Sequence, residues 1–212
     1  MADTAPLRTQ VVDEAIDILD NLQQTSYVHA DPNPEAASAG IFDTDCSGLV
    51  NYILGVVAPN HLRQIPQTGT PGSPATRSLA GDYYAFLSNV PDQISNGWRQ
   101  IDYLADARPG DLITFPLPPG SGDTGHVFMV AEQPVAIDAV TMAVPAYDSS
   151  DILHYDDSRD LGPGQPQQTG VGSGTFHLTI NADGLATAFQ FGPGDTVFPA
   201  SIAIGRIEFF SA

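Results

Sequence analysis

Two hydrophobic periods divide this chain, and their order restricts the fold more than any other feature. Up to residue 87 the apolar residues recur at helical spacing. In 9–24, Val12, Ile16, Leu19 and Leu22 form one stripe with Asp13, Asp17 and Asp20 on other faces, the pattern of an amphipathic helix packed on a core. Leu49, Val50, Tyr52, Ile53 and Val56 predict a second helix that closes between Gly55 and Pro59, and 77–87 reads as a third carrying Tyr83, Tyr84 and Phe86. From residue 98 the pattern changes to short apolar runs bounded by Gly, Pro, Asn and Asp. Strands are expected at 98–103, 111–115, 126–132, 140–147, 175–180, 186–191 and 201–209. Between two of these, Asn181-Ala182-Asp183-Gly184 predicts a hairpin turn, because Gly184 can take the left-handed conformation that closes it. Helices first and strands later predict an α+β fold with an antiparallel sheet. Segments 30–42 and 59–76 read as turn-rich connections, and 161–174, rich in Gly, Pro and Gln without a period, as a long mobile loop or spacer. A length of 212 residues suits one domain with a real core, and a single domain over 1–212 is expected.

Charge narrows the partners. Seven basic residues, all arginine, stand against twenty-five acidic ones, a net charge of -18. Such a field repels phosphate backbones and anionic lipid heads, so neither nucleic acid nor a membrane surface is expected as a partner. No apolar run is long enough to cross a bilayer. Residues 1–24 lack the basic start and apolar centre of a secretory signal peptide, which predicts a chain made without one or beginning after its removal. The single cysteine forbids an internal disulfide and a multi-cysteine zinc site. Asp43, Asp45, Asp148, Asp151, Asp156, Asp157 and Asp160, with His154, match no calcium loop, since Asp156-Asp157 to Asp160 lacks the central glycine and terminal glutamate. No metal and no cofactor is expected.

The single cysteine has a distinctive setting. Cys46 follows Thr44 and Asp45, either of which can cap a helix whose first turn then holds the thiol. There the helix dipole and unpaired N–H groups favour a thiolate, and the same N–H groups suit the oxyanion of a tetrahedral intermediate. Ser47-Gly48 follow, where the backbone must pack closely. A small buried hydrophobe is the alternative reading of an isolated cysteine.

Of the five histidines, His29, His61, His126, His154 and His177, only His126 follows a flexible Gly-rich loop and opens a strand, Val127-Phe128-Met129-Val130. A histidine at the mouth of a strand is held by the sheet yet reaches a neighbouring helix terminus, as a general base requires. A third group is expected to fix its tautomer. Asp148, at the end of the next expected strand, is the first candidate, because a short connection brings that strand alongside. His154, beyond the Ser149-Ser150-Asp151 turn, is the alternative.

Three segments carry a family resemblance. Asp45-Cys46-Ser47-Gly48-Leu49-Val50, Arg108-Pro109-Gly110-Asp111-Leu112-Ile113-Thr114-Phe115 and Gly125-His126-Val127-Phe128-Met129-Val130 resemble, in this order, the signatures of NlpC/P60 cysteine peptidases. The resemblance spans about residues 26–150 and leaves the N-terminal helix and the C-terminal strands, 175–209, outside it. It implies a papain-like fold in which the nucleophile opens a helix packed on an antiparallel sheet. Cys46 takes the nucleophile position and His126 that of the base. The family's third polar residue is usually His, Asn or Gln, so Asp148 is a departure. Tyr27 falls where the family often has a tyrosine lining the site, and Ser47 beside the nucleophile is expected to contact substrate with it. The aromatic and Gly-Gly that usually follow the tyrosine are replaced by Val28, His29 and Ala30. Asp111 is expected only to hold the turn entering its strand. The activity implied is cleavage of an amide or peptide bond in a cell-wall peptide through a thioester. Amidase or acyltransferase chemistry on another substrate, and a catalytically silent binding module, are the alternatives.

Overall fold

The computed structural model describes residues 5–69, 77–118 and 120–210. Helix α1 (Leu7–Asp20) buries Leu7, Val11, Ala15 and Ile18, a row at i, i+4 spacing. The stripe lies one residue round from the expected one: Leu7 and Ala15 complete the buried row, and Ile16 turns to solvent. The helix also ends four residues early. The chain leaves it to form β1 (Gln24–Tyr27), which pairs in parallel with β2 (Ile41–Thr44). Segment 30–42 is therefore more than a loop. Its Asn33-Pro34 caps a short helix, α2 (Pro34–Ala37), with the Asn33 side chain accepting from the N–H groups of Glu35 and Ala36.

Helix α3 (Cys46–Val57) is followed by the single turn α4 (Pro59–Leu62), and α5 (Ala80–Leu87) begins three residues later than expected. The turn-rich reading of 59–76 falls from residue 70 onward outside the described residues.

Seven strands stand at the expected places, β3 (Trp98–Gln100), β4 (Leu112–Pro116), β5 (Gly125–Val130), β7 (Thr141–Ser150), β8 (Gly170–Ile180), β9 (Ala186–Gln190) and β11 (Ala203–Ile207), and two short ones, β6 (Val135–Ala136) and β10 (Phe198–Pro199), were not expected. They form one antiparallel sheet in the order β10-β9-β8-β7-β5-β4-β11-β3, with β6 on β7. The architecture is α+β. Gly184 sits at φ 84° in the turn between β8 and β9.

The sheet is strongly curled. Phe115 of β4 stacks on Phe189 of β9 with ring centroids 3.7 Å apart, although three strands lie between them in the sheet order. Flat strands would hold them about 19 Å apart. Curling gives the sheet two apolar faces. The outer face packs Leu112, Val127 and Met129 against α1, α3 and α5. The inner face encloses Ile113, Phe115, Phe128, Val144, Ala146, Phe176 and Phe189.

The loop expected over 161–174 ends at residue 169, because Gly170 to Gly174 form the start of β8, with Gly170, Val171 and Gly172 opposite Ser150, Ser149 and Asp148. Glycines read as loop residues, but two of these clear space above the strand. A Cβ on Gly172 would lie 2.9 Å from Arg159 Nε, and one on Gly174 2.8 Å from His154 Cβ, so side chains from 154–159 can lie directly on the sheet.

Candidate active site

The site starts at the cap of α3. Asp45 is the N-cap residue, and its Oδ1 accepts from the Gly48 N–H at 2.8 Å. The Ser47 hydroxyl donates to the same oxygen at 3.0 Å, as does Arg77 Nη1 at 2.9 Å, while Arg77 Nη2 pairs with Oδ2. Arg77 also reaches Asp31 at 3.2 Å. Gly48 has no room for a side chain, since a Cβ would collide with Thr44 Oγ1 and the Ala30 carbonyl. The four residues Asp45 to Gly48 thus supply the cap, the thiol, a brace for the cap and a close approach. Ser47, expected at the substrate, is buried with its hydroxyl engaged by Asp45 and Arg77.

Strands β5 and β7 bond at Met129↔Tyr147 and Val130↔Ala146 only. Beyond those pairs the junction of β2 and α3 lies against both strands. The Val127 backbone amide lies against the Cys46 sulfur, and Ser149 Oγ donates to the Thr44 carbonyl at 2.7 Å. Cys46 and His126 consequently meet β5 at adjacent residues, the thiol at the Val127 amide and the imidazole as the preceding side chain. Both are nearly closed to solvent, at 2% and 6% exposure. The expected lowering of the thiol by the helix dipole is overridden: burial pushes Cys46 up, the Asp45 charge adds to it, and the Val127 N–H only partly opposes them.

His126 lies on the inner face among Phe115, Phe176 and Phe191. Its Nε2 is 2.9 Å from Asp148 Oδ2. Asp148 is fully buried, and β7 extends two residues past it rather than ending there. His154 Nε2 reaches the same oxygen at 2.8 Å, and Arg159 Nη2 donates to Oδ1 at 3.0 Å. Burial alone would raise the Asp148 carboxyl. The Arg159 guanidinium, His154 and the hydrogen bonds from both imidazoles more than reverse this and hold it well below the usual carboxylate range. An ionised carboxylate only accepts, so each imidazole donates from Nε2. In a neutral His126 the lone pair is then on Nδ1.

His154 is fixed rather than loose beyond a turn. Its backbone N–H donates to Asp157 Oδ2 at 2.8 Å, and Asp157 is gripped by Arg159 Nε and Nη2. The Tyr27 hydroxyl donates to Asp123 Oδ2 at 3.4 Å. Burial, the Cys46 sulfur and Asp123 together push its phenol up. Asp111 lies apart, bonded to the Arg108 N–H and doubly to Arg206 of β11, where it ties the entry of β4 to its neighbour.

Among the described residues, the donor atoms of His126, Asp148 and His154 cluster within 4.8 Å of one another. Direct hydrogen bonds to one shared oxygen already join them, and the Arg159 charge on the other oxygen opposes a cation there. The set does not fit a metal.

Arg77 and Arg159 were not reached from the sequence. Both are buried and both hold a carboxylate of the site. The signal was the scarcity of cations: in a chain with seven arginines and no lysine, an arginine among aspartates, as in Asp156-Asp157-Ser158-Arg159-Asp160, marks a candidate ion pair.

No family model and no curated protein sequence matches the chain. Among solved structures, it is similar at 11% identity to the wild-type endolysin LysIME-EF1, with a TM-score of 0.43, over 95% of this chain and 66% of that one. It is also similar at 11% identity to Ly7917, with a TM-score of 0.30, over 90% of this chain and 99% of that one.

Proposed function

We propose that the protein is a cysteine hydrolase of the papain-like, NlpC/P60 type that cleaves an amide or peptide bond, in a cell-wall peptide, through a thioester. The observation that carries this reading is the junction at β5: a thiol at a helix N-terminus lies at the Val127 amide, and the imidazole of the preceding residue is anchored through Nε2 on a buried carboxylate. Cys46 is the nucleophile, His126 the base and Asp148 the group that orients it. The substrate class rests on the three sequence signatures around Cys46, Asp111 and His126.

The proton moves follow from the tautomer. The raised thiol is neutral at rest, so His126 Nδ1 takes its proton as the sulfur attacks the carbonyl carbon. The negative oxygen of the tetrahedral intermediate is held by N–H groups of the first turn of α3. The C–N bond breaks, His126 returns the proton to the leaving amine, and a thioester remains on Cys46. Water then attacks with His126 as base, releasing the acid and restoring the thiol. Asp148 stabilises the imidazolium in both halves.

The closure of Cys46 and His126 favours one second reading, a silent binding module with the same architecture. Incubation with defined cell-wall peptides and mass spectrometry of the products separates the two. The hydrolase gives cleaved peptide and an acyl adduct on Cys46, both lost in Cys46→Ala. A module gives neither, and wild-type turnover in folded Cys46→Ala would remove Cys46 from the mechanism.

A further inference from the structure

We infer that His154 is a positioning residue for the base: it pins the Asp148 carboxylate by the oxygen that His126 uses, and so fixes the ring of His126. The argument begins with the freedom of a carboxylate. An aspartate held at one oxygen can still rotate about its last bond and present either oxygen to a third group. Here Arg159 occupies Oδ1 at 3.0 Å and His154 occupies Oδ2 at 2.8 Å. Both ends are held by groups other than His126, and the remaining acceptor direction on Oδ2 faces His126 Nε2 at 2.9 Å.

His154 is built for this one contact. Its ring lies tilted against Phe176 at 4.1 Å and stacks toward Phe191 at 5.9 Å, and it lies against Gly174, whose missing side chain makes the room. Its backbone is tied to Asp157. Its Nδ1 is buried, with no partner among the described residues. Among the described residues the hydrogen bond of its ring goes to Asp148.

Other charged or ionisable groups around His126 do not offer the same hold. Cys46, Asp45 and Asp123 lie on the thiol side, and Asp157 acts only through Arg159 and the His154 backbone. Phe115, Phe176 and Phe191 carry no hydrogen-bonding group. His154 and Arg159 are the two donors that orient Asp148 apart from His126 itself.

The inference rests on the hydrolase reading for its kinetic arm only. In ¹⁵N-histidine NMR of the intact protein, His154 and His126 should each show Nε2 protonated and Nδ1 bare. A His154 protonated on Nδ1 alone would overturn the inference without any variant. His154→Phe keeps an aromatic ring and deletes the donor, so His126 should populate both tautomers, while His154→Gln supplies an N–H near the same place and should restore the wild-type pattern. Turnover of a cell-wall peptide should fall roughly 10²-fold in kcat for His154→Phe, with KM changed less than about twofold and most of the loss recovered in His154→Gln. A wild-type His126 signal and wild-type kcat in folded His154→Phe would overturn it, as would failure of folded His154→Gln to restore either. Absence of turnover in the wild type would count against the hydrolase reading and leave the NMR result to decide the role of His154.

Discussion

Replacing Asp148 by Asn tests whether the buried carboxylate is the electrostatic centre of the inner face. The change keeps shape and removes one charge. Asp148 Oδ1 accepts from Arg159 and Oδ2 from two imidazoles; an amide must turn its NH₂ toward one set of donors, and at least one contact becomes repulsive. Breaking a buried ion pair by removing one partner costs about 3–5 kcal/mol. Arg159 retains Asp157 at 2.8 Å, which places the expected loss at the lower end, about 3 kcal/mol. The pH dependence gives a second check. The folded carboxyl is held well below its ordinary value, so its contribution is complete above the unfolded value near 3.9 and is lost as pH falls through the folded one. The gap between wild type and Asp148→Asn should therefore be constant above about pH 5 and narrow below about pH 4. Urea unfolding followed by the fluorescence of Trp98, the single and fully buried tryptophan, measures both. A loss under about 1 kcal/mol at pH 7, or a gap that does not narrow in acid, would refute the reasoning.

The burial-raised Cys46 thiol predicts slow labelling by iodoacetamide at pH 7 with a rate that climbs through the alkaline range, and slower labelling still in His126→Ala; fast labelling at neutral pH would indicate a resting thiolate instead. Gly174→Ala places a Cβ 2.8 Å from His154 Cβ and should cost about 1–3 kcal/mol by overpacking, read as a lower Tm. Gly55→Ala, within α3 and with no atom nearer than 3.9 Å to the added carbon, should instead stabilise by about 0.5–1 kcal/mol, and equal effects at the two glycines would contradict the packing described.

The order of elements was legible because periodicity is a local property. Ile113 and Phe115 alternate with Leu112 and Thr114 whatever lies across the sheet, so β4 could be read without knowing its neighbours. The Asp45-Cys46-Ser47-Gly48 cap and the Gly125-His126 strand entry are local in the same sense, and both residues stand in the structure where those signals put them, at the first position of α3 and the second of β5. Boundaries failed where one residue type serves two purposes. Gly170, Gly172 and Gly174 carry the composition of a loop, yet they form a strand whose bare face receives Arg159 and His154.

The carboxylate hub was illegible for a different reason. Its parts lie in four segments: β5, β7, the connection from residue 151 to 169, and β8 beneath them. Strand alternation in β7 places Asp148 on the face of Val144 and Ala146, the inner one, but no local rule says that the chain will turn back after Ser150 and lay His154 and Arg159 over β8. His154, expected beyond a turn, is buried against Phe176 instead. What made the return possible was the removal of side chains from β8, and what made it stable was a cation: with a guanidinium on Asp148 and Asp157 together, two carboxylates and two imidazoles share a space from which water is excluded. In a chain so short of positive charge, Arg159 is buried there on one oxygen of Asp148, and the imidazole of His126 takes the other.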